Sequence, residues 1–182
     1  MSTMSETTTI WNIDPSHSSL EFSVRHLMIA TVKGRFSDVT GRVVSDDSDL
    51  TTSQVEVAVG VNSIDTREAQ RDAHLRSPDF FDVEKFPTLT FRSTRITDVS
   101  NGTFKLVGDL TMHGGTREIV LDVTTEGRGK DPWGGDRAGF SATTKIKRSD
   151  FGLVWNQVLE TGGVAVGDEV KIAIDLELVA AQ

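Results

Sequence analysis

Trp11 to His26 reads WNIDPSHSSLEFSVRH. Trp11 is an aromatic anchor, Asp14-Pro15 marks a turn, and from Leu20 the residues alternate strictly. Leu20, Phe22, Val24 and His26 fall on one face, and Glu21, Ser23 and Arg25 on the other. Period two over this length predicts a half-buried β-strand. An apolar row that ends on a histidine beside an arginine describes one wall of an apolar pocket with a polar mouth.

The same grammar continues along the chain. Gly34 to Val44 predicts a second strand with a bend or bulge at Gly41. Asp46 to Thr52 is a polar turn cluster, and Val55, Val57, Val59 and Val61 alternate after it. Leu89 and Phe91 share a face in Thr88 to Arg92. Asn101-Gly102 predicts a type I′ hairpin turn, which requires positive φ at both central residues. With Thr103 it also spells a glycosylation sequon, but the hairpin accounts for it. Phe104, Leu106, Leu110 and Met112 follow, then a turn at His113-Gly114-Gly115 and a row of Ile119, Leu121 and Val123. Gly127 to Gly135 reads as a glycine-rich connection, followed by Phe140, Ala142, Thr144 and Ile146 and finally Ile172, Ile174, Leu176 and Leu178. About eight evenly spaced strands with few helices predict a sandwich or an up-and-down barrel. The exception lies between Asp65 and Phe86. Asp65 with Glu68 forms a capping box for a helix from Thr66 to about Leu75, and Ser77-Pro78 opens a second short turn. Phe80 and Phe81 are adjacent, so one is expected to plug an open end of the barrel.

Composition narrows the function. The chain has 182 residues, 37% hydrophobic and 25% charged, enough for one domain with a sizeable core. A formal net charge of -8 disfavours nucleic acid, whose phosphates need a basic surface. Without cysteine there is no disulfide, thiolate metal site or cysteine nucleophile. MSTMSETTT reads as a polar tail over residues 1–9, with the domain over 10–180. That tail lacks the basic and apolar regions of a signal peptide, and no apolar run approaches the roughly 18 residues of a membrane helix. The expectation is a cytoplasmic protein.

Candidate chemistry is sparse. His17, His26, His74 and His113 have no paired metal-ligand spacing, so no metal is expected. His17, between Ser16 and Ser18, suits turn hydrogen bonds; His26 is either a core histidine or a head-group contact. Arg67, Arg71 and His74 share one face of the predicted helix and suit a polar or anionic ligand head, or simply a solvated face. Asp150-Phe151-Gly152 matches the kinase metal-binding tripeptide by chance, since neither a glycine-rich phosphate loop nor the catalytic-loop signature is present. Gly162, Gly163 and Gly167 lack dinucleotide-binding spacing, and there is no GxSxG elbow. No cofactor is implied.

Several segments, taken in order, resemble the YceI-like family of polyisoprenoid-binding, lipocalin-like proteins. They are Trp11–His26 (W-x-I-D-P-x-H-S-x-L-x-F-x-V-x-H), Gly34-Arg35-Phe36, Ser63-Ile64-Asp65-Thr66, and Arg71-Asp72-x-His74-Leu75 with Phe80-Phe81-Asp82. Phe86-Pro87-x-x-x-Phe91, Gly108-x-Leu110-Thr111-x-His113-Gly114 and Arg148-x-Asp150-Phe151-Gly152-Leu153 complete the set. The resemblance spans about Ile10 to Leu178 and rests on the order and spacing of the motifs together. It implies an all-β fold, an extended antiparallel barrel of about eight strands with one or two short helices. The barrel interior would hold a polyprenyl lipid, a quinone or another long-chain lipid. Many members carry a secretory signal, which is not seen here, and His113 stands where the family more often has arginine.

The leading reading is therefore a non-enzymatic carrier or sequestering protein. Arg25, His26, Arg71 and His74, with Arg148, are the expected polar mouth; Phe22, Val24, Phe81 and Trp155 are the expected apolar lining. The rows Leu20-Phe22-Val24 and Ile172-Ile174-Leu176 compete for the lining. The alternatives are an enzyme with Asp72 and His74 in acid–base roles, and an interaction module whose barrel is filled by its own side chains. A homodimer would cover a valine-rich outer wall.

Overall fold

The computed structural model describes residues 8–160 and 163–181. Its strands are β1 (Thr8–Ile13), β2 (Ser19–His26), β3 (Ala30–Phe36), β4 (Val39–Asp46), β5 (Asp49–Gly60), β6 (Ile64–Asp65), β7 (Thr88–Ser100), β8 (Thr103–Met112), β9 (Gly115–Lys130), β10 (Asp136–Lys147) and β11 (Val166–Ala180). One α-helix, α1 (Ala69–Arg76), lies between β6 and β7. The strands form a single sheet closed by pairing of β1 with β11.

Register reduces these segments to eight continuous strands. β1 and β2 lie end to end along β11, with Ile13 opposite Leu178 and Ser19 opposite Asp175. β3 and β4 follow the same path on their other side, Phe36 opposite Leu20 and Arg42 opposite Asn12. β5 and β6 continue it, Val59 opposite Val39 and Ile64 opposite Phe36. Every neighbour is antiparallel, so the fold is a closed eight-stranded up-and-down barrel. Closure decides between the barrel and the sandwich that the strand spacing had left open.

The break between β1 and β2 has a local cause. Pro15 has no N–H for the ladder, and Asp14 caps the single turn Pro15–His17 by accepting from Ser16 N. Arg137 then fastens the break from β10, with Nη1 2.7 Å from Asp14 and 3.3 Å from Glu177 and Nε 3.0 Å from Asp131. His17 Nδ1 lies 2.9 Å from Asp14, as turn hydrogen bonding predicts. The hydrogen bond from His17, with those from Ser16 and Arg137, holds the Asp14 carboxyl far below its ordinary range. The same contact with Asp14, and the charge of Glu177, raises the imidazole of His17 above its usual value.

Several local expectations shift. The helix begins at Ala69 rather than Thr66, because Glu68 is its cap and accepts from Gln70 N and Arg71 N. Asp65 belongs to β6 and accepts from Arg67 N. β9 extends through Gly127 and Gly129 to Lys130 and β10 begins at Asp136, which shortens the glycine-rich connection to residues 131–135. Gly41 pairs with Val57 inside β4, while the register shift comes later, between Val44 and Asp46. Asn101 and Gly102 adopt φ of 30° and 83°, joining β7 to β8 as a hairpin. β1 starts at Thr8, inside the segment read as a tail, whose first seven residues lie outside the described ones, as does Gly162.

The barrel has two unlike ends. The helix end carries α1, the 27–29 and 113–114 turns and segments 148–160 and 163–165; the turn end carries the 47–48, 101–102 and 131–135 turns. Buried Trp11, Val59, Ile64, Met112, Phe151 and Leu178 belong to one packed cluster, and Phe91, Ile96, Phe104 and Leu121 to a second on the β7–β9 wall.

Candidate functional site

A cavity of about 830 Å³ runs inside the barrel. That is toward the upper end of the roughly 300–1,000 Å³ usual for small-molecule pockets. The inward rows of the strands make its wall, including Leu20, Phe22 and Val24 of β2, Val55, Val57 and Val59 of β5, and Ile172, Ile174 and Leu176 of β11. The β2 and β11 rows do not divide the work between inside and outside. Phe22 sits opposite Ile172 and Leu20 opposite Ile174, so both rows face inward together.

The lining reaches from His26, Leu27 and Gln157 at the helix end to Asp47, Leu50 and Arg128 at the turn end. β11 alone lines it from Val166 to Leu178. At about 3.3 Å per residue and a barrel tilt of about 35–45°, the passage is on the order of 30 Å long. A barrel packed solid by its own side chains would have no such passage.

All nine residues singled out in the sequence touch this cavity: Phe22, Val24, Arg25, His26, Arg71, His74, Phe81, Arg148 and Trp155. Their side chains do different things there. Phe22 and Val24 stand in the inward row of β2. The Phe22 ring lies over Gly34 on β3, where a Cβ would come within 2.3 Å of it. Phe36 bridges Phe22 and Phe81, with ring centroids at 5.5 and 6.0 Å. Phe80 also lines the cavity, so neither phenylalanine is turned away from it. Phe80, His74 and Trp155 form an aromatic group at the helix end with centroids 4.7–5.2 Å apart.

The expected cations are largely committed to the protein itself. Arg25 donates to Thr31 Oγ1 and to Met28 O, bracing the 27–29 turn, in which Leu27 and Met28 have positive φ. Arg71 donates to Thr66 through both its side-chain hydroxyl and its carbonyl. Arg148 is buried and donates to the carbonyls of Gly167, Leu153, Trp155 and Val166 at 2.7–3.2 Å. Burial lowers its guanidinium below its ordinary value, against the pull of the Asp168 carboxylate. His26 remains exposed at the rim.

The acid–base pair considered in the sequence is not assembled. Buried Asp72 accepts from both the backbone N–H and the hydroxyl of Thr66. His74 Nε2 instead lies 2.9 Å from Asp79. His113, in a turn with positive φ, lies 3.0 Å through Nδ1 from Phe151 O and stacks edge-on against Phe86. Among the described residues no group of three His, Cys, Asp or Glu side chains could hold a metal. Among the described residues no helix is long and apolar enough to cross a membrane.

The turn end holds polar groups that the sequence reading passed over. Ser45 Oγ accepts from Trp11 Nε1 at 3.0 Å, and the Arg128 guanidinium stands 5.0 Å over the Trp11 ring. Ser53, only 8% exposed, also lines the cavity, and its hydroxyl has no hydrogen-bond partner among the described residues. The signal for Ser53 was present in its phase, two residues before Val55 in the inward row of β5. It was hidden because Asp46 to Thr52 reads as a turn.

A family profile described as YceI-like domain matches residues 11–178. A UPF0312 protein of Vibrio cholerae is 44% identical over 138 residues, covering 76% of this chain and 73% of that protein. The crystal structure of Burkholderia cenocepacia BcnA superposes with a TM-score of 0.79 at 23% identity, covering 91% of this chain and 98% of the other. A polyisoprenoid binding domain from Saccharophagus degradans, implicated in plant cell wall breakdown, superposes with a TM-score of 0.67 at 17% identity, over 94% and 98% of the two chains.

Proposed function

The chain belongs to the YceI-like family, and on that premise we propose that it binds a long isoprenoid-type lipid, a polyprenyl chain or a prenyl quinone, inside the barrel as a carrier or sequestering protein. The observation that carries this reading is the cavity itself, long, narrow and walled by aliphatic and phenyl side chains from strands all round the barrel. The S. degradans domain of similar fold is described as binding a polyisoprenoid, which agrees with this reading.

The energetics favour a chain over a compact ligand. Burying a methylene is worth roughly 0.8 kcal/mol, so one five-carbon isoprene unit contributes about 3–4 kcal/mol before costs. A few buried units outweigh the loss of translational and chain freedom on binding. Length selection then falls to the passage, and head-group selection to the few polar atoms along it.

Native mass spectrometry of the purified protein, followed by organic extraction, tests the reading. A stoichiometric prenyl lipid or quinone, recovered chemically unchanged after incubation, is the expected result. An empty protein that also refuses added prenyl lipids overturns it. A ligand converted to product during incubation would replace the carrier with an enzyme.

A further inference from the structure

We infer that the helix end of the barrel docks on an anionic phospholipid bilayer, with the tip of the β2–β3 hairpin entering the lipid interface and Arg25 and Lys33 facing the headgroup phosphates. This goes beyond the carrier reading above. It names the surface that the protein meets, and its test is separate from cargo binding.

The β2–β3 turn is built against its own backbone preference. Ile29 N donates to His26 O at 3.1 Å, and the two residues between them, Leu27 and Met28, hold φ of 52° and 58°. A type I′ turn demands positive φ at both central residues, and asparagine and glycine meet that demand most easily. The Asn101-Gly102 hairpin of the same chain does so. Here two large apolar residues take these positions at a cost in backbone energy. Met28 is exposed, so packing does not offset that cost, and Ile29 beside it is 78% exposed. Single exposed apolar residues are ordinary, but a strained, uncovered apolar tip calls for a surface that covers it.

The tip does not stand alone. Leu27 N donates to Ala165 O, Ala165 N donates to Gln157 O, and Val158 bridges to Val164. This ladder sets Val158, 76% exposed, on the same lip. Leu27, Trp155 and Leu159 line the cavity just behind it. Apolar side chains thus lead from the lip into the barrel, a path by which a lipid chain leaves a bilayer without crossing water.

Charge decides what covers the lip. From Phe22 to Phe36 the chain carries Arg25, Lys33 and Arg35 and no carboxylate. Arg35 pairs with Asp65, whereas Arg25 and Lys33 have no acidic partner among the described residues. Arg25 sits opposite Thr31 and Lys33 opposite Ser23, in the row that points away from cavity-lining Phe22 and Val24. Both cations are exposed. Long basic side chains behind an apolar tip reach headgroup phosphates while the tip sits in the interface. The lip segments 25–33, 154–160 and 163–165 hold one carboxylate, Glu160. The turn end also exposes apolar residues, Leu50, Val99 and Trp133, but shares them with Asp46, Asp47, Asp49 and Asp98. An anionic surface repels that cluster and so favours approach by the helix end.

Flotation of the intact protein with vesicles tests the inference, comparing phosphatidylcholine alone with phosphatidylcholine mixed with phosphatidylglycerol. The protein should float with the mixed vesicles, less with the neutral ones, and lose that difference in high salt. Ile29→Ser should weaken binding to the mixed vesicles about tenfold. Lys33→Gln should weaken it about fivefold and leave neutral vesicles unaffected. Trp133→Ser, at the turn end, should change neither. Met28→Gly separates docking from folding because it relieves the turn: its melting temperature should rise while its vesicle binding falls. Binding to neither vesicle, or equal binding by wild type and Ile29→Ser, overturns the docking lip. Loss of binding in Trp133→Ser overturns the orientation, and a lower melting temperature in Met28→Gly overturns the argument from strain. Tryptophan quenching by a prenyl quinone added from ethanol, read in the same variants, should be unchanged. A wild type that docks on vesicles but takes up no quinone would overturn the carrier reading and leave the lip standing.

Discussion

Arg148 shows what a single side chain can hold and what a sequence hides. Its guanidinium gathers the carbonyls of Leu153, Trp155, Val166 and Gly167, so the segment 153–155 is held against the start of β11. Replacing it by alanine takes this donor from the buried carbonyls of Gly167 and Leu153 and from Trp155, while Val166 keeps Asn156 Nδ2, and Arg148→Ala should cost about 2–4 kcal/mol in denaturant unfolding. Arg148→Lys should recover less than half of that, because one ammonium lacks the planar fork. A cation beside an apolar run reads in sequence as a ligand contact, and the carbonyls that claim it are invisible because they belong to every residue type. Ser53 is the reverse case. Its type and phase were both in the sequence, but its lack of a partner depends on distant strands that only the closed barrel brings near.

At the scale of elements, period two identified nearly every strand, and the Asn101-Gly102 turn was legible because its backbone conformation selects its residues. Helix α1 was placed three residues early because Asp65 and Glu68 are both good caps, and pairing of β6 with β3 takes Asp65 for the sheet. The cross-strand pair of Phe22 on β2 with Gly34 on β3 carries a prediction. A Cβ at residue 34 would press on the far edge of the Phe22 ring, which can turn away into the cavity at little cost to the fold. Gly34→Ala should therefore keep its melting temperature within a few degrees, for a stability change of about 1 kcal/mol or less, and bind long prenyl chains more weakly in a fluorescence titration. A large loss of stability with unchanged binding would show that the ring cannot move inward.

At the scale of the whole molecule, the barrel is fastened at its kink by Asp14, His17, Asp131, Arg137 and Glu177, and this fastening is set by pH. The carboxyl of Asp14 is depressed in the folded protein, so its contribution is complete above its ordinary value of 3.8 and fades as pH falls through the lower folded value. His17 is raised, so its contribution is complete below 6.5 and fades as pH rises through the higher folded value. The difference in melting temperature between wild type and His17→Gln should accordingly be largest near pH 5–6 and shrink toward pH 9. A gap that does not narrow on the alkaline side would mean that His17 acts without its charge. The family and the barrel were legible over nearly the full chain, whereas closure of β1 on β11 was not, since no local pattern records which distant strand is a neighbour. The long internal void has a mechanical consequence. Unfolding an empty barrel lets water into space that nothing occupied, so the volume of the system falls, and hydrostatic pressure favours that change. Filling the void with a lipid removes most of that compressible space and adds the mass-action stabilisation of about 2.7 kcal/mol at a hundredfold excess over Kd. Delipidated protein should thus unfold at markedly lower pressure than loaded protein, with a larger negative unfolding volume, as high-pressure fluorescence would measure. Equal volumes for the two forms would mean that the barrel collapses when emptied.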